Sequence, residues 1–185
     1  MSAVNGFILA GGSGTRMGRD KALLEWRAGT LLEYMVELLS SVTSKVQVIG
    51  RHPLPDLFPG RGPLAGILTA LQVSQTETNL VVAVDLPLLT KEFLQYLRFR
   101  IENSEQLLVA CKIESHFPLC LGLRRRLIAE LERRVLAAEL SVQAFVEGCG
   151  PELIREPELS HAGFDISIFR NVNTEEDYRA ALEKL

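Results

Sequence analysis

A glycine-rich segment followed by two cations stands near the beginning of the chain. An apolar run at residues 4–10 leads into the glycines of residues 11–14, and Arg16 and Lys21 follow. Glycine allows the main chain to approach a ligand closely, so that backbone N–H groups can surround phosphate oxygens. A guanidinium and an ammonium group would add the charge that the backbone lacks. The segment therefore predicts a phosphate-binding loop.

Two widespread phosphate motifs do not match this loop. The Walker motif requires Lys and then Ser or Thr directly after its second glycine, whereas Arg19 and Asp20 follow Gly18. The dinucleotide motif requires a third glycine at the position of Met17. An ordinary strand-to-helix turn with basic residues nearby is the alternative interpretation, and the further motifs of the chain make it the weaker one.

A carboxylate follows another apolar run further along the chain. Asp85 comes directly after the valine-rich residues 80–84, and Pro87 stiffens the turn behind it. Because Mg²⁺ prefers oxygen ligands and keeps several waters, one carboxylate together with substrate phosphates makes an ordinary site for it. The alternative role of Asp85 is to cap a helix or a turn before Thr90.

Alternating strands and helices must position these residues. Apolar runs and helical periodicity predict strands at residues 4–10, 45–49 and 80–84 and helices at 31–39, 64–73 and 91–101. Such alternation implies right-handed crossovers, so we expect an α/β, Rossmann-like fold of three layers with a mostly parallel central sheet. Ligands collect at the carboxyl ends of parallel strands, which would bring the glycine loop, residues 56–67 and Asp85 to one cleft.

The second half of the chain has a more mixed pattern. It predicts strands at residues 107–112, 118–121 and 165–169, and helices at 124–139, at 142–146 after Ser141, and after Thr174. Asp177 is placed to complete a capping box with Thr174. Because no Gly/Ser/Pro-rich linker interrupts the chain, we predict one domain, residues 1–185.

The composition limits the classes of function. The chain has 185 residues, of which 47% are hydrophobic, and its net charge is −3. Nonspecific nucleic-acid binding needs a basic surface and is not expected. We see neither a signal peptide nor an apolar run of about 18 residues, and expect no membrane segment. The three cysteines contain no C-x-x-C pair, so we expect free thiols in a cytoplasmic protein.

Four segments together carry a resemblance to a known family. They are LAGGSGTRMGRDK (residues 9–21), GPLAGI (62–67), DLP (85–87) and NVNTEEDY (171–178). They resemble the motifs of the molybdenum cofactor guanylyltransferases, members of the NTP-transferase superfamily. The resemblance implies a nucleotidyltransferase that transfers GMP from GTP to the phosphate of molybdopterin or molybdenum cofactor and releases pyrophosphate. LAGG and GPLAGI favour GTP, since related cytidylyl enzymes tend to show L-A-A-G.

The resemblance also implies roles for particular residues. Arg16, Lys21 and Asp85 would serve catalysis, with Asp85 as the ligand of Mg²⁺. The nucleotide-binding residues that it implies are Leu9, Ala10, Gly11, Gly12, Lys21, Asp56, Gly62, Pro63, Leu64, Asp85, Asn171 and Asn173. Asp56 in a Pro-rich turn, and asparagines before a helix, are equally ordinary turn or cap residues, and that alternative stays open.

The sequence departs from the family pattern in several places. Val48 stands nearest to the position of an asparagine at the end of the second strand, and Glu175 replaces a proline. His116 is one residue out of register with a histidine–proline pair, and Leu140 replaces a basic residue. These departures affect the acceptor side more than the nucleotide side. The arginines of residues 124–134 lie opposite an apolar helix face, which is typical of a solvated surface.

The predicted chemistry needs no general base. A phosphate monoester has a second pKa of about 6 and is largely ionised at neutral pH. The partners implied are GTP and molybdopterin or molybdenum cofactor, with cofactor-delivery or molybdoenzyme-maturation proteins as the classes of protein partner. Two other functions stay open: a related nucleotidyltransferase that uses CTP or another phosphorylated acceptor, and a noncatalytic nucleotide-binding module.

Overall fold

The computed structural model describes residues 3–11 and 19–184, and the statements below concern those ranges. The strands are β1 (Val4–Leu9), β2 (Glu25–Trp26), β3 (Gly29–Thr30), β4 (Lys45–Ile49), β5 (Thr78–Ala83), β6 (Leu108–Lys112), β7 (Cys120–Arg124) and β8 (Glu152–Arg155). The α-helices are α1 (Leu31–Ser40), α2 (Gly62–Val73), α3 (Lys91–Asn103), α4 (Ile128–Leu136), α5 (Val142–Gly148), α6 (Glu156–His161) and α7 (Glu175–Leu182). Short 3₁₀ helices lie at Lys21–Leu23, Arg125–Leu127 and Ile166–Phe169.

The central sheet has six strands in the order β4-β1-β5-β7-β6-β8. Strand β1 pairs in parallel with β4 and β5, and β6 pairs in parallel with β8. Strand β7 runs antiparallel to both of its neighbours, β5 and β6. The prediction of a mostly parallel central sheet is therefore confirmed. A separate two-stranded sheet joins β2 and β3.

Helices cover both faces of the sheet, which confirms the three-layer prediction. Successive residues of β1 point to opposite faces: Ile8 belongs to the core under α1 and α3, and Phe7 to the core under α2 and α4. All six residues of β1 are buried, as are all six of β5. A strand covered on both faces is mostly apolar, which explains the apolar runs in the sequence, and the buried polar residues Asn5, Thr78 and Asn79 lie near the beginning of these two strands.

Caps in the sequence fix where several helices begin. The Thr90 side chain accepts a hydrogen bond from Phe93 N at 3.2 Å, so α3 begins at Lys91 as predicted. The capping box predicted for α7 is present, since Thr174 and Asp177 each accept from the other's backbone N–H.

No helix among the described residues is both long and apolar enough to cross a bilayer.

Two predictions about the second half of the chain are wrong. Residues 165–169 form no strand, because the Asp165 side chain accepts from Ser167 N at 2.7 Å and caps the 3₁₀ helix Ile166–Phe169. The helix predicted at residues 124–139 is shorter, since Arg124 ends β7 and donates its backbone N–H to Leu107 O at 2.8 Å. Only residues 128–136 of that segment are α-helical.

Candidate active site

Three loops meet at one edge of the sheet. Because β1, β4 and β5 are parallel, the chain leaves all three strands at the same edge. Main-chain hydrogen bonds continue the pairing beyond the strands: Ala10 N donates to Ile49 O at 3.0 Å, and Val84 N donates to Leu9 O at 3.1 Å. This geometry brings the beginning of the glycine loop, the turn after β4 and Asp85 to one cleft.

Asp85 faces groups from two distant segments at this edge. Its Oδ1 accepts from Asn171 Nδ2 at 2.9 Å, and its Oδ2 lies 3.4 Å from Lys21 Nζ. Its backbone oxygen also accepts from Val172 N at 2.9 Å. Thr90, rather than Asp85, caps the next helix, so Asp85 is not a helix cap. The Asp85 side chain is 20% exposed and so remains open to the cleft.

Lys21 completes a group of four polar side chains. Its ammonium donates to Asn173 Oδ1 at 2.5 Å, in addition to its contact with Asp85. Its place depends on the 3₁₀ helix Lys21–Leu23, which Asp20 caps by accepting from Ala22 N at 3.1 Å. We call Lys21, Asp85, Asn171 and Asn173 the cleft network.

The asparagines of the cleft network lie before α7 but do not cap it. Thr174 is the N-cap, while the Asp177 carboxylate accepts from the backbone of both Asn173 and Thr174, at 3.0 and 2.9 Å. The cap therefore fixes the main chain at Asn173 and leaves its side-chain amide to accept from Lys21. The cap interpretation of Asn171 and Asn173 is thus wrong.

The predicted nucleotide residues after β4 are held by the fold in different ways. Asp56 Oδ1 accepts from Phe58 N and from Thr69 Oγ1, both at 3.0 Å, which fastens the turn to α2. Gly62 and Pro63 are exposed in the first turn of α2, whereas the Leu64 side chain is fully buried. Of these three residues, Gly62 and Pro63 are therefore the ones open to a ligand, and the binding roles of Asp56, Gly62, Pro63 and Leu64 stay predictions.

The turn after β4 approaches Gly11 closely. Gly50 has a φ of +88°, and a Cβ added there would lie 2.5 Å from Gly11 Cα, so only glycine fits without a shift. The next residue, Arg51, donates from Nε to Ala10 O at 3.2 Å and pairs through Nη2 with Asp20 Oδ1. Arg51 was not among the predicted site residues, although it follows a strand at the cleft edge. Gly12 and Arg16 lie outside the described residues.

Other candidate groups lie in ordinary structural surroundings. Arg125, Arg126 and Arg133 are exposed, as the surface interpretation predicts, whereas Arg124 is partly buried and donates to Thr78 Oγ1 at 2.7 Å. Arg134 pairs with Glu130 at 2.6 Å.

Cys111, Cys120 and Cys149 are free thiols, as predicted, and burial raises the pKa of the Cys111 thiol to about 12. His116 is exposed in a turn where its main chain pairs with Ile113.

The fold places the chain in the class of α/β proteins that bind ligands at the carboxyl ends of parallel strands, and here that edge carries the Asp85 carboxylate beside the Lys21 ammonium group. Comparisons narrow the class. The model of the family described as "MobA-like NTP transferase domain" matches residues 6–152. The chain therefore belongs to this family and is a nucleotidyltransferase.

Individual relatives agree with this assignment. A probable molybdenum cofactor guanylyltransferase of Carboxydothermus hydrogenoformans is 31% identical over 185 residues, which cover 95% of this chain and 93% of that protein. A molybdenum cofactor guanylyltransferase of Desulfosudis oleivorans is 29% identical over 192 residues, covering 98% and 95%. The crystal structure of molybdopterin-guanine dinucleotide biosynthesis protein A from Archaeoglobus fulgidus has the same fold, with a TM-score of 0.82, 24% identity and 97% coverage of both chains.

Proposed function

We propose that the protein transfers GMP from GTP to the terminal phosphate of molybdopterin, or of its molybdenum-loaded form. The observation that carries this proposal is the meeting of Lys21 and Asp85, 3.4 Å apart at the carboxyl edge of the sheet. The names of the relatives support the choice of guanylyl transfer and of this acceptor. One domain, residues 1–185, would hold both substrates. We place it in the cytoplasm, a reducing compartment that suits its free thiols.

The cleft network fits a Mg²⁺ ion that arrives with the triphosphate. Asp85 supplies a partly exposed carboxylate, and this cation prefers oxygen ligands while keeping several waters. Within residues 3–11 and 19–184, no group of three or more His, Cys, Asp or Glu side chains is arranged to hold a metal. Phosphate oxygens and water would therefore complete the coordination. When bound, Mg²⁺ would neutralise charge on the phosphate oxygens.

The side chains of the cleft network would each place one partner of the reaction. Asn171 holds one carboxylate oxygen of Asp85 and so leaves the other directed toward Lys21. Asn173 holds the Lys21 ammonium at the same edge, from which it can reach phosphate oxygens. Catalysis then depends on placement and on charge stabilisation rather than on a base. Main-chain contacts from residues 9–12 and the charge of Arg16 remain predicted parts of the same site.

The bond changes follow from the charge of the acceptor. An ionised oxygen of the acceptor phosphate attacks the α-phosphorus of GTP and forms a new P–O bond. The bond from the α-phosphorus to the bridging oxygen of the β-phosphate breaks, and pyrophosphate leaves with the electron pair. Lys21 would stabilise the charge that develops on the leaving group. The first turn of α2, with Gly62, Pro63 and Leu64, and the nearby Asp56 would lie beside the base or ribose.

A panel of triphosphates with matched variants tests the proposal. We expect pyrophosphate release from GTP, and not from CTP or ATP, only when molybdopterin is present. Lys21→Met should lower the rate by about 100-fold, since one charged contact to a transferring phosphate is lost. Arg126→Gln removes an exposed cation that pairs with Glu77, before β5 at the opposite end of the sheet, and is the matched control. Equal release from CTP, or a full rate in Lys21→Met, would contradict the proposal.

A further inference from the structure

We propose that Arg51 is a positioning residue of this nucleotidyltransferase, which joins Ala10 to Asp20 and so sets the place of Lys21. The effect on substrate rests on the proposed function, in which Lys21 meets the triphosphate. The claim that Arg51 joins Ala10 to Asp20 rests only on the contacts of its guanidinium group. We call Arg51, Asp20 and the Ala10 carbonyl the arginine clasp.

One guanidinium binds both partners of the clasp. Arg51 Nε donates to Ala10 O at 3.2 Å, where Ala10 directly follows β1. Arg51 Nη2 pairs with Asp20 Oδ1, and Asp20 directly precedes Lys21. The planar guanidinium presents donors in a fixed fork, which suits simultaneous contacts of this kind. Arg51 therefore fixes Asp20 relative to the end of β1.

Asp20 passes this constraint on to Lys21. The carboxylate oxygen that meets Arg51 also accepts from Ala22 N at 3.1 Å and caps the 3₁₀ helix Lys21–Leu23. The hydrogen bond from Arg51 holds the pKa of Asp20 below its ordinary value, so this carboxylate is charged throughout the neutral range. Because the helix begins at Lys21, the direction in which its side chain leaves depends on that cap.

The main chain around Arg51 keeps the clasp in place. Gly50 packs against Gly11, and Gly50 N donates to Leu54 O at 3.0 Å. An isolated antiparallel bridge between Arg51 and Leu54 closes the turn. The Arg51 side chain is 26% exposed, which is partly shielded rather than free in solvent. The turn after β4 thus places one guanidinium against both Ala10 and Asp20, which lie on either side of the glycines of residues 11–14 in the sequence.

Loss of the guanidinium would change the charge beside Lys21. Without the Arg51 guanidinium, the Asp20 carboxylate loses this cationic partner. Asp20 directly precedes Lys21, the residue proposed to bind the triphosphate. The negative charge of Asp20 would then no longer be neutralised by Arg51 near the end of β1, and it would repel phosphate oxygens bound there. We therefore expect Arg51→Gln to weaken the affinity for Mg²⁺-GTP about fivefold, as for a partly exposed ion pair, with kcat changed less than KM.

A double-mutant cycle separates this role from simple packing. Asp20→Asn keeps an oxygen that can cap the helix but removes the charge, so it should alter affinity little. The double variant Asp20→Asn/Arg51→Gln should bind Mg²⁺-GTP better than Arg51→Gln alone, because the unpaired carboxylate is gone. Arg126→Gln is the control for loss of one cation. Additive losses, or unchanged affinity in Arg51→Gln, would overturn the proposal.

Hydrogen exchange tests the clasp independently of the substrate. In Arg51→Gln, amides of residues 19–26 should exchange faster than in the wild type, while amides of α3 stay unchanged. Unchanged exchange at residues 19–26 would overturn the clasp even if GTP transfer is found. Wild-type protein that fails to bind GTP, with the exchange difference present, would instead reject the proposed function and keep the clasp. Thermal unfolding of each variant confirms that it is folded.

Discussion

Two polar networks of similar burial have different surroundings. In the cleft network, the Lys21 and Asp85 side chains are 21% and 20% exposed and lie where β1 and β5 end. In the second network, Arg100 of α3 donates to Glu152 of β8 at 2.7 Å and to the Tyr96 hydroxyl at 2.7 Å, and it also pairs with Glu158 of α6. The burial of a polar network therefore does not by itself distinguish a ligand-binding site from a network that stabilises the fold.

The difference between the networks is what their partners leave available. Arg100 divides its donors among two carboxylates and a hydroxyl, which joins α3 to the sheet edge at β8 and to α6. Asp85 has one oxygen held by Asn171, and the other lies at a longer distance, 3.4 Å, from Lys21. We infer that the first network stabilises the fold and that the second binds charge from outside the protein.

The largest expected effect is that of Asp85→Asn. Asparagine keeps an oxygen for the contact with Asn171 but cannot supply the carboxylate charge for Mg²⁺. We expect the rate of guanylyl transfer to fall by about 10²–10³. Urea unfolding should show nearly wild-type stability. Steady-state kinetics at saturating GTP measures the loss, and a wild-type rate would place the metal elsewhere.

Arg100→Met should give the opposite pattern. It leaves Glu152, Glu158 and Tyr96 without their common donor, so we expect a loss of about 1–2 kcal/mol in the free energy of unfolding. The transfer rate per folded molecule should remain at the wild-type level. Urea unfolding followed by circular dichroism provides the measurement. A large fall in rate with intact stability would mean that the two networks are not separate in function.

Thr174→Ala should have the smallest effect of the three. It removes the side-chain acceptor for Asp177 N, 3.1 Å away, and one half of the capping box of α7. Loss of such a cap costs about 1 kcal/mol. The transfer rate should fall far less than in Asp85→Asn, because the Asn173 side chain is retained. A loss of rate equal to that of Asp85→Asn would show that the cap itself sets the cleft geometry.

Much of the first half of the fold could be predicted from the sequence. Apolar runs indicated β1 and most of β5, and Thr90 marked the beginning of α3. The convergence of the glycine segment and Asp85 followed from parallel strands, because their carboxyl ends share one edge. Resemblance supplied Asn171 and Asn173 as candidates. Their contacts with Asp85 and Lys21 depend on where α7 packs, which no local pattern shows.

The errors have local physical causes. The sequence Ile166-Ser167-Ile168 alternates as in a strand, but the cap from Asp165 turns the chain into a 3₁₀ helix. Strand β8 contains four residues, too few for a periodicity to stand out. Arg51 follows β4 without a recognisable motif, and its partners Ala10 and Asp20 are distant in sequence. Such long-range pairs require the tertiary structure.

A crystal structure with GTP and Mg²⁺, without acceptor, tests the central claim most directly. We expect a cation about 2.1 Å from an Asp85 carboxylate oxygen. The triphosphate should lie on Lys21, with guanine beside residues 9–12 and the first turn of α2. A triphosphate bound away from the Asp85–Lys21 pair, or a cation with no contact to Asp85, would contradict the account.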